Sequence, residues 1–305
     1  MHIVVTGGTG FIGRALCASL QQAGHRVTVL TRRLQEVNRV CGAAVTAVEW
    51  NDGGASGWEQ ALEGADAVVN LAGAPIADAR WTTSRKRLLT DSRVRGTRQL
   101  VEAMSRRTIK PRVLVSASGI GYYGACDDRV LDEGAARGHG FLADLCLEWE
   151  AAALEATSFG TRVVTLRTGM VLEQDGGALP KMLLPFRLFA GGPIMPGSQW
   201  VSWIHRRDHI GLIQWALATA SVSGSVNATA PGAVTMKTFC DALGQVLHRP
   251  SWLPVPGFAL KAVLGELGTL MTTGQRVSPA KVLAGGYTFQ YPTLEPALRA
   301  ILTKA

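Results

Sequence analysis

The residues best placed to do chemistry form a glycine-rich turn near the N-terminus. Thr6-Gly7-Gly8-Thr9-Gly10-Phe11-Ile12-Gly13 follows a short apolar run and leads into apolar residues at helical spacing. A strand, a glycine-rich turn and a helix N-terminus in this order can bind a dinucleotide pyrophosphate, the alternative being a turn without a ligand. We expect the cofactor-binding residues here to be Gly7, Thr9, Gly10, Phe11, Ile12 and Gly13.

Three positions of this turn need glycine for physical reasons. Gly7 allows the tight turn, because glycine adopts backbone angles that other residues avoid. Gly10 lets the backbone approach the phosphates, and Gly13 lets the helix pack closely on the strand. The turn therefore predicts a phosphate-binding cradle.

Two arginines that follow the next strand bear on the type of dinucleotide. Residues 26–30 alternate in polarity and end in Thr31-Arg32-Arg33, where an NAD(H) site would usually carry Asp or Glu. Guanidinium groups bind phosphate bidentately, so Arg32 and Arg33 would suit the 2′-phosphate of NADP(H). Both could instead be solvated loop charges, but the glycine turn upstream favours NADP(H) as the cofactor.

An alternation of strands and helices must position these groups. Apolar strands are predicted at residues 3–5, 27–30, 67–71, 113–115 and 163–166. They predict an α/β fold, a Rossmann doubly wound parallel sheet with a smaller, mostly helical C-terminal substrate or lid portion. Longer helices are predicted over residues 91–104, 178–189, 208–220, 236–247 and 258–271.

The domain organisation follows from a change of pattern after Arg167. Residues 1–167 are expected to form the NADP(H)-binding Rossmann domain, with a later strand contributed from about residues 200–230. Residues 168–305, where glycine and proline punctuate shorter pieces, would form the substrate or lid portion. No repeat or low-complexity linker separates the two parts, so we expect one interlocked body.

Composition and charge indicate which kinds of molecule the protein binds. The formal net charge is +8, but the positive charge is spread widely and no nucleic-acid-binding motif accompanies it. We therefore expect a small-molecule substrate and no nucleic acid. No apolar stretch or leader of membrane or export type is present, which predicts a cytoplasmic protein without a membrane partner. Five scattered cysteines predict reduced thiols and no metal site.

Residues at the carboxyl ends of the predicted strands should line the ligand site, because doubly wound sheets bind ligands at that edge. The small residues and hydroxyl groups there would contact the nicotinamide half of the cofactor: Asn70, Ala72, Gly73, Ser116, Thr168 and Val171. Lys86 and Arg93 could bind the cofactor or a substrate anion, and Lys181 a substrate anion from the predicted lid helix. A solvated basic helix face is the alternative for these three residues.

Candidates for proton transfer lie in two segments. Ser118 and Tyr123 belong to the run at 116–124, and His205 belongs to Trp203-Ile204-His205. Tyr122 or Tyr123 could present a phenol to the substrate, and histidine titrates nearest neutral pH. The alternatives are a tyrosine that shapes the pocket and a histidine hydrogen-bonded to the backbone.

Together these motifs resemble the extended short-chain dehydrogenase/reductase superfamily, in its NAD(P)-dependent epimerase/dehydratase branch. Within it, the chain is similar to an atypical subgroup of uncharacterised nucleotide-sugar-epimerase-like proteins with a C-terminal extension, here about residues 252–302. The subgroup marks occur in order: Arg80-Trp81, Lys86, Ser92-Arg93, Tyr122-Tyr123-Gly124, Trp149-Glu150, Gly274-Gln275-Arg276 and Gly286-Tyr287-Thr288-Phe289. The superfamily often dimerises, so a monomer or a homodimer is expected.

One departure from the superfamily bears on activity. Its working members carry a Tyr followed four residues later by Lys, on the helix that comes after the strand corresponding to residues 113–115 here. In this chain, either Phe141 or Leu142 takes the Tyr place, and Leu145 or Cys146 takes the Lys place. The resemblance therefore implies an NADP(H)-binding epimerase- or reductase-like protein, acting on a small polar carbonyl substrate without the usual pair. The alternative is a non-catalytic NADP(H) redox sensor or regulatory binding protein.

Overall fold

A parallel sheet of seven strands organises the protein in a computed structural model, which describes residues 1–42, 44–50 and 57–303. The strands within these residues are β1 (His2–Thr6), β2 (Arg26–Thr31), β3 (Thr46–Glu49), β4 (Ala67–Asn70), β5 (Val113–Gly119), β6 (Val130–Leu131), β7 (Arg162–Thr168), β8 (Met170–Glu173), β9 (Gly176–Gly177), β10 (Trp200–Val201), β11 (Trp203–His205), β12 (Gly224–Ala228), β13 (Val234–Thr235) and β14 (Arg276–Val277).

The order of the main sheet is β12-β7-β5-β4-β1-β2-β3, and every neighbouring pair is parallel. This is the doubly wound order of a Rossmann fold, extended by one strand beside β7. The predicted fold class is confirmed. The short edge strand β3 was missed, because its side chains are only partly buried and its apolar signal is weak.

Helices cover both faces of the sheet and build the C-terminal half. Those in the described residues are α1 (Gly13–Gln22), α2 (Leu34–Cys41), α3 (Thr83–Thr90), α4 (Gly96–Ser105), α5 (Phe141–Leu154), α6 (Leu179–Arg187), α7 (Arg206–Ala218), α8 (Met236–Leu247), α9 (Gly257–Leu264), α10 (Glu266–Thr272), α11 (Ala280–Ala284) and α12 (Leu294–Leu302). None of the described helices is long and apolar enough to cross a membrane.

Two helix predictions need correction. The helix predicted over residues 91–104 starts eight residues earlier, at Thr83, and contains one π-helical turn, Asp91–Arg95, between α3 and α4. The helix predicted over residues 258–271 is divided into α9 and α10 by Gly265, which has a φ of +62°. Left-handed backbone ends a right-handed helix, and an apolar pattern alone does not report it.

The C-terminal half contributes to both main cores of the protein. Ile213 and Ala216 of α7 are fully buried on the main sheet, together with Val226 of β12. A second core surrounds Trp203 and Phe239, where α6, α8 and α12 pack against β8 and β11. Apolar burial is the dominant favourable term in folding, so these contacts hold the C-terminal elements against the edge of the sheet.

Candidate functional site

The turn between β1 and α1 adopts a conformation that requires glycine at two positions. Gly7 has a φ of +68°, and a Cβ there would lie 2.8 Å from the carbonyl carbon of Leu71. A Cβ on Gly13 would lie 2.2 Å from the carbonyl oxygen of Gly7, so α1 begins directly against the turn. No described side chain caps the first turn of α1, so no side chain competes with a phosphate for its N–H groups, although the N–H of Arg14 already donates to the carbonyl oxygen of Gly10.

Arg32 and Arg33 lie at the carboxyl end of β2, beside this turn. Residue Thr6 of β1 pairs with Leu30 of β2, and both arginines that follow are exposed. Arg33 Nη1 lies 3.2 Å from Glu36 Oε1. Because an exposed ion pair of this kind contributes only about 0–1 kcal/mol, a phosphate can displace the glutamate. The two guanidinium groups are therefore accessible to an anion next to the glycine turn.

The hairpin formed by β8 and β9, in the C-terminal half, covers Phe11 of the glycine-rich turn. A Cβ on Gly176, at the start of β9, would lie 2.5 Å from Cδ2 of Phe11. The guanidinium carbon of Arg206 lies 5.1 Å from the Phe11 ring centroid, and its Nη1 donates to Asp175 Oδ1 at 2.5 Å. Val171 of β8 is buried in the hydrophobic core against which Phe11 packs. The hairpin thus closes one side of the candidate phosphate cradle.

Asn70 and Ser116 lie at the ends of β4 and β5 in a buried hydrogen-bond network. Asn70 accepts from Thr6 Oγ1 at 2.7 Å, and its amide donates to Thr97 Oγ1 at 2.8 Å and to Ser116 Oγ at 3.2 Å. Thr6 Oγ1 in turn accepts from the backbone N–H of Ala72 at 3.2 Å. The network fixes the turn at Ala72 and Gly73. We call the edge of the sheet where β4, β5 and β7 end the cleft, because doubly wound sheets bind ligands at this edge.

Helix α5 directs two side chains toward the end of β5 and the turn that follows it. Cβ of Leu142 would lie 2.9 Å from a Cβ on Gly121, and Sγ of Cys146 would lie 3.7 Å from one on Gly119. Phe141 instead packs edge-on against a tryptophan ring, with centroids 5.2 Å apart. Burial raises the pKa of the Cys146 thiol to about 11, so it stays protonated near neutral pH. Of the open pairings, the geometry favours Leu142 with Cys146.

A buried ion pair lies behind this segment and accounts for two of the predicted catalytic residues. Arg167 Nε and Nη2 donate to the two carboxylate oxygens of Glu150, each at 2.9 Å. Ser118 Oγ donates to Glu150 Oε1 at 2.7 Å. Tyr123 is 1% exposed, and its hydroxyl donates to Asn227 Oδ1 at 2.7 Å and accepts from Arg167 Nη1 at 3.0 Å. Both hydroxyl groups are therefore engaged within the protein.

Tyr122 differs from its neighbour because it is only half-buried. The guanidinium carbon of Arg167 lies 3.4 Å from the centroid of the Tyr122 ring. Such a cation–π contact restrains the ring at the surface of the cleft. Tyr122 is therefore partly accessible to solvent, whereas Tyr123 is buried.

His205 is buried and begins a helix. Its Nδ1 accepts from the backbone N–H of Arg207 at 3.0 Å, which caps α7, and its ring stacks on Tyr291 at 4.0 Å. The neighbouring His209 was missed at the sequence level, because a single histidine inside an amphipathic helix carries no motif. His209 Nε2 lies 3.0 Å from Thr168 Oγ1 at the carboxyl end of β7.

Replacing His209 with Gln is expected to make the protein less sensitive to acid. Burial lowers the pKa of His209 to about 4, whereas an unfolded chain has a value near 6.5. Below about pH 6.5 the unfolded state binds the extra proton, so wild type loses stability as the pH falls. From pH 7.5 to 5 this loss is about 2 kcal/mol. Urea unfolding of both proteins at the two pH values measures it, and equal losses would contradict the prediction.

Lys86 and Lys181 connect the segment after β4 to the C-terminal half. Lys86 Nζ lies 2.5 Å from Glu266 Oε2 on α10, and 5.1 Å from the ring centroid of Phe141. Lys181 Nζ on α6 lies 3.9 Å from Asp78 Oδ1, in an exposed pair. These contacts join α10 and α6 to the segment that follows β4. The predicted ligand contacts of both lysines stay predictions.

The residues at the cleft fit a dinucleotide. A Cβ at Gly7 or Gly13 would fill the cradle, and Arg32 and Arg33 offer the donor geometry of a phosphate site. The described residues contain no group of three or more His, Cys, Asp or Glu side chains that could hold a metal ion. The sheet order and the cradle define a Rossmann-type dinucleotide-binding protein.

Comparison with known proteins gives the family. The model of the NAD dependent epimerase/dehydratase family matches residues 3–228, and that of a domain of unknown function (DUF1731) matches residues 255–301. The chain belongs to this epimerase family, and the C-terminal match confirms the expected extension.

The similarity to known proteins covers nearly the whole chain. The chloroplastic epimerase family protein SDR39U1 homolog of Arabidopsis thaliana is 44% identical, over 99% of this chain and 87% of its own length. The Bacillus subtilis epimerase family protein YfhF is 39% identical, over 99% and 98%. The crystal structure of human epimerase family protein SDR39U1 with NADPH has a TM-score of 0.89 and 34% identity, covering 100% of both chains.

Proposed function

We propose that this protein binds NADP(H) and acts on a small polar carbonyl compound. The observation that carries the proposal is the glycine cradle, in which Gly7 and Gly13 leave no room for a side chain. Arg32 and Arg33 beside it support NADP(H) over NAD(H). The similar human protein was crystallised with NADPH, which supports the same choice. When bound, the nicotinamide supplies or accepts a hydride.

The proposed binding residues divide between the two halves of the cofactor. The turn with Gly7, Gly10 and Gly13 would hold the pyrophosphate, and Arg32 with Arg33 the 2′-phosphate. Ala72, Gly73 and Thr168 border the nicotinamide half at the carboxyl ends of β4 and β7. Residues 1–167 would form the cofactor-binding part and residues 168–305 the substrate portion. We further propose that the reaction takes place in the cytoplasm, in a monomer or homodimer.

Proton transfer in this site would differ from the superfamily pattern. Leu142 faces the turn after β5 and Cys146 faces the last residue of β5, and neither carries a phenol or an ammonium group. We propose that Ser118, Tyr123 and His205 position the site, because their side chains are engaged within the protein. Tyr122, half-buried at the cleft, is the phenol best placed to contact substrate.

The first test is binding of the four nicotinamide nucleotides. Calorimetric titration with NADPH, NADP⁺, NADH and NAD⁺ should show a clear preference for the phosphorylated pair. Binding of none of the four would overturn the proposal. A panel of carbonyl compounds then separates an enzyme from a sensor: an enzyme consumes NADPH with at least one class, whereas a sensor discriminates NADPH from NADP⁺ without turnover.

The double variant Arg32→Asp plus Arg33→Ala tests the 2′-phosphate site. We expect NADPH binding to weaken by about 2 kcal/mol or more, because charge-assisted hydrogen bonds to the phosphate are lost. NADH binding should change much less, since NADH has no 2′-phosphate. Arg39→Ala, a change at an exposed arginine on α2, is the matched control. Unchanged NADPH affinity in titration calorimetry would refute this assignment.

A further inference from the structure

Within the part of the chain that the structure describes, the buried cation Arg93 has no anionic partner. Arg93 is 7% exposed, yet it forms no ion pair with any described residue. Its Nη1 donates to the carbonyl oxygen of Leu89 at 3.3 Å, and its Nε is buried without a hydrogen-bond partner. Burying a charge costs much free energy unless it is paired. An arginine held in this way among the described residues points to a negatively charged ligand.

Two contacts place the guanidinium group of Arg93 beside the turn after β4. Its carbon would lie 2.9 Å from a Cβ on Gly73, an exposed residue, so glycine at that position leaves space for the charge. The same carbon lies 5.1 Å from the ring centroid of Trp149 on α5. The cation therefore lies between the strand ends and α5.

The local backbone supports a functional role for this position. Arg93 lies in the π-helical turn Asp91–Arg95, which interrupts the helical run between α3 and α4. Single π-helical turns are rare and occur frequently at functional sites. Arg95, in the same turn, is exposed. The π-helical turn thus buries one of its two arginines and leaves the other exposed.

We propose that Arg93 binds a carboxylate group of the substrate, beside its reacting carbonyl. This inference rests on the proposed function, because it assigns the substrate class of the same site. A planar guanidinium group forms two parallel hydrogen bonds with a carboxylate, which fixes both its position and its orientation. The contact would also neutralise the buried charge. The substrate is then a carbonyl acid rather than a neutral sugar or alcohol.

The test uses a pair of small probes of nearly equal shape. Oxamate carries a carboxylate beside a carboxamide, whereas oxamide carries two carboxamides. Calorimetry should show that the NADPH-loaded protein binds oxamate, and binds oxamide at least tenfold more weakly. Arg93→Met should weaken oxamate binding at least tenfold. Arg93→Lys keeps the positive charge but cannot form two parallel hydrogen bonds, so its oxamate affinity should be intermediate. The exposed control Arg95→Met should bind oxamate as tightly as wild type.

Two further measurements separate this role from others. The NADPH affinity of Arg93→Met should stay within threefold of wild type. Its Tm should not fall, because an unpaired buried cation has been replaced by an apolar side chain. If Arg93→Met proves unstable, the oxamate affinity of Arg93→Lys is compared with that of wild type instead.

Three outcomes would overturn the inference. The first is wild-type oxamate affinity in Arg93→Met, and the second is no oxamate binding by wild type. The third is a tenfold loss of NADPH affinity in Arg93→Met, which would assign Arg93 to the cofactor. Failure of wild type to bind NADPH is a separate result, which concerns the proposed function.

Discussion

Replacing Glu150 with Gln is expected to lower the free energy of unfolding by about 3–5 kcal/mol. Glu150 and Arg167 are only 6% and 5% exposed at their side chains, and they form a two-point ion pair. The carboxylate also accepts from Ser118 and Ser225, at 2.7 and 3.1 Å. The neutral amide would leave the Arg167 charge buried and uncompensated. Urea unfolding of both proteins measures the difference.

A control on the same helix separates burial from loss of charge. Glu148→Gln removes an exposed carboxylate from α5, so its effect should stay within about 0.5 kcal/mol. The double variant Glu150→Leu plus Arg167→Met should recover part of the lost stability, because no unpaired charge remains. A loss below 1 kcal/mol for Glu150→Gln would show that the pair contributes as little as a surface ion pair.

Replacing Gly13 with Ala is expected to weaken NADPH binding roughly 100-fold, or about 2.7 kcal/mol. The new Cβ would lie 2.2 Å from the carbonyl oxygen of Gly7 and 2.7 Å from Cα of Gly8. Backbone atoms cannot yield as a flexible side chain can, so α1 or the turn must move. Either shift displaces the N–H groups that would hold the pyrophosphate. Fluorescence titration with NADPH measures the affinity.

The matched control for this variant lies just beyond the other end of α1. Gly24 has a φ of +77°, and a Cβ there would meet no atom within 4 Å. Gly24→Ala should cost some stability through its backbone angle, while NADPH affinity stays unchanged. A Gly13→Ala protein that binds NADPH within threefold of wild type would rule out the proposed cradle.

The sequence alone determined the fold class and the place of the cradle. Both depend on local patterns: apolar strands that alternate with helices, and glycines whose spacing suits a tight turn. Gly7 and Gly13 have in the structure the close contacts that this spacing predicts. Arg32 and Arg33 could be located in the same way, because they follow β2 directly in the chain.

Tertiary structure alone decided which polar side chains in the cleft are engaged. Tyr123 meets Asn227 of β12, and His205 stacks on Tyr291, across 104 and 86 residues of chain. Arg93 is buried without a carboxylate partner among the residues that the structure describes, whereas neighbouring arginines in the sequence are exposed. Such partnerships depend on contacts between distant segments, which no local periodicity encodes. The sequence therefore located the edge of the sheet where chemistry would occur, and packing determined which groups face it.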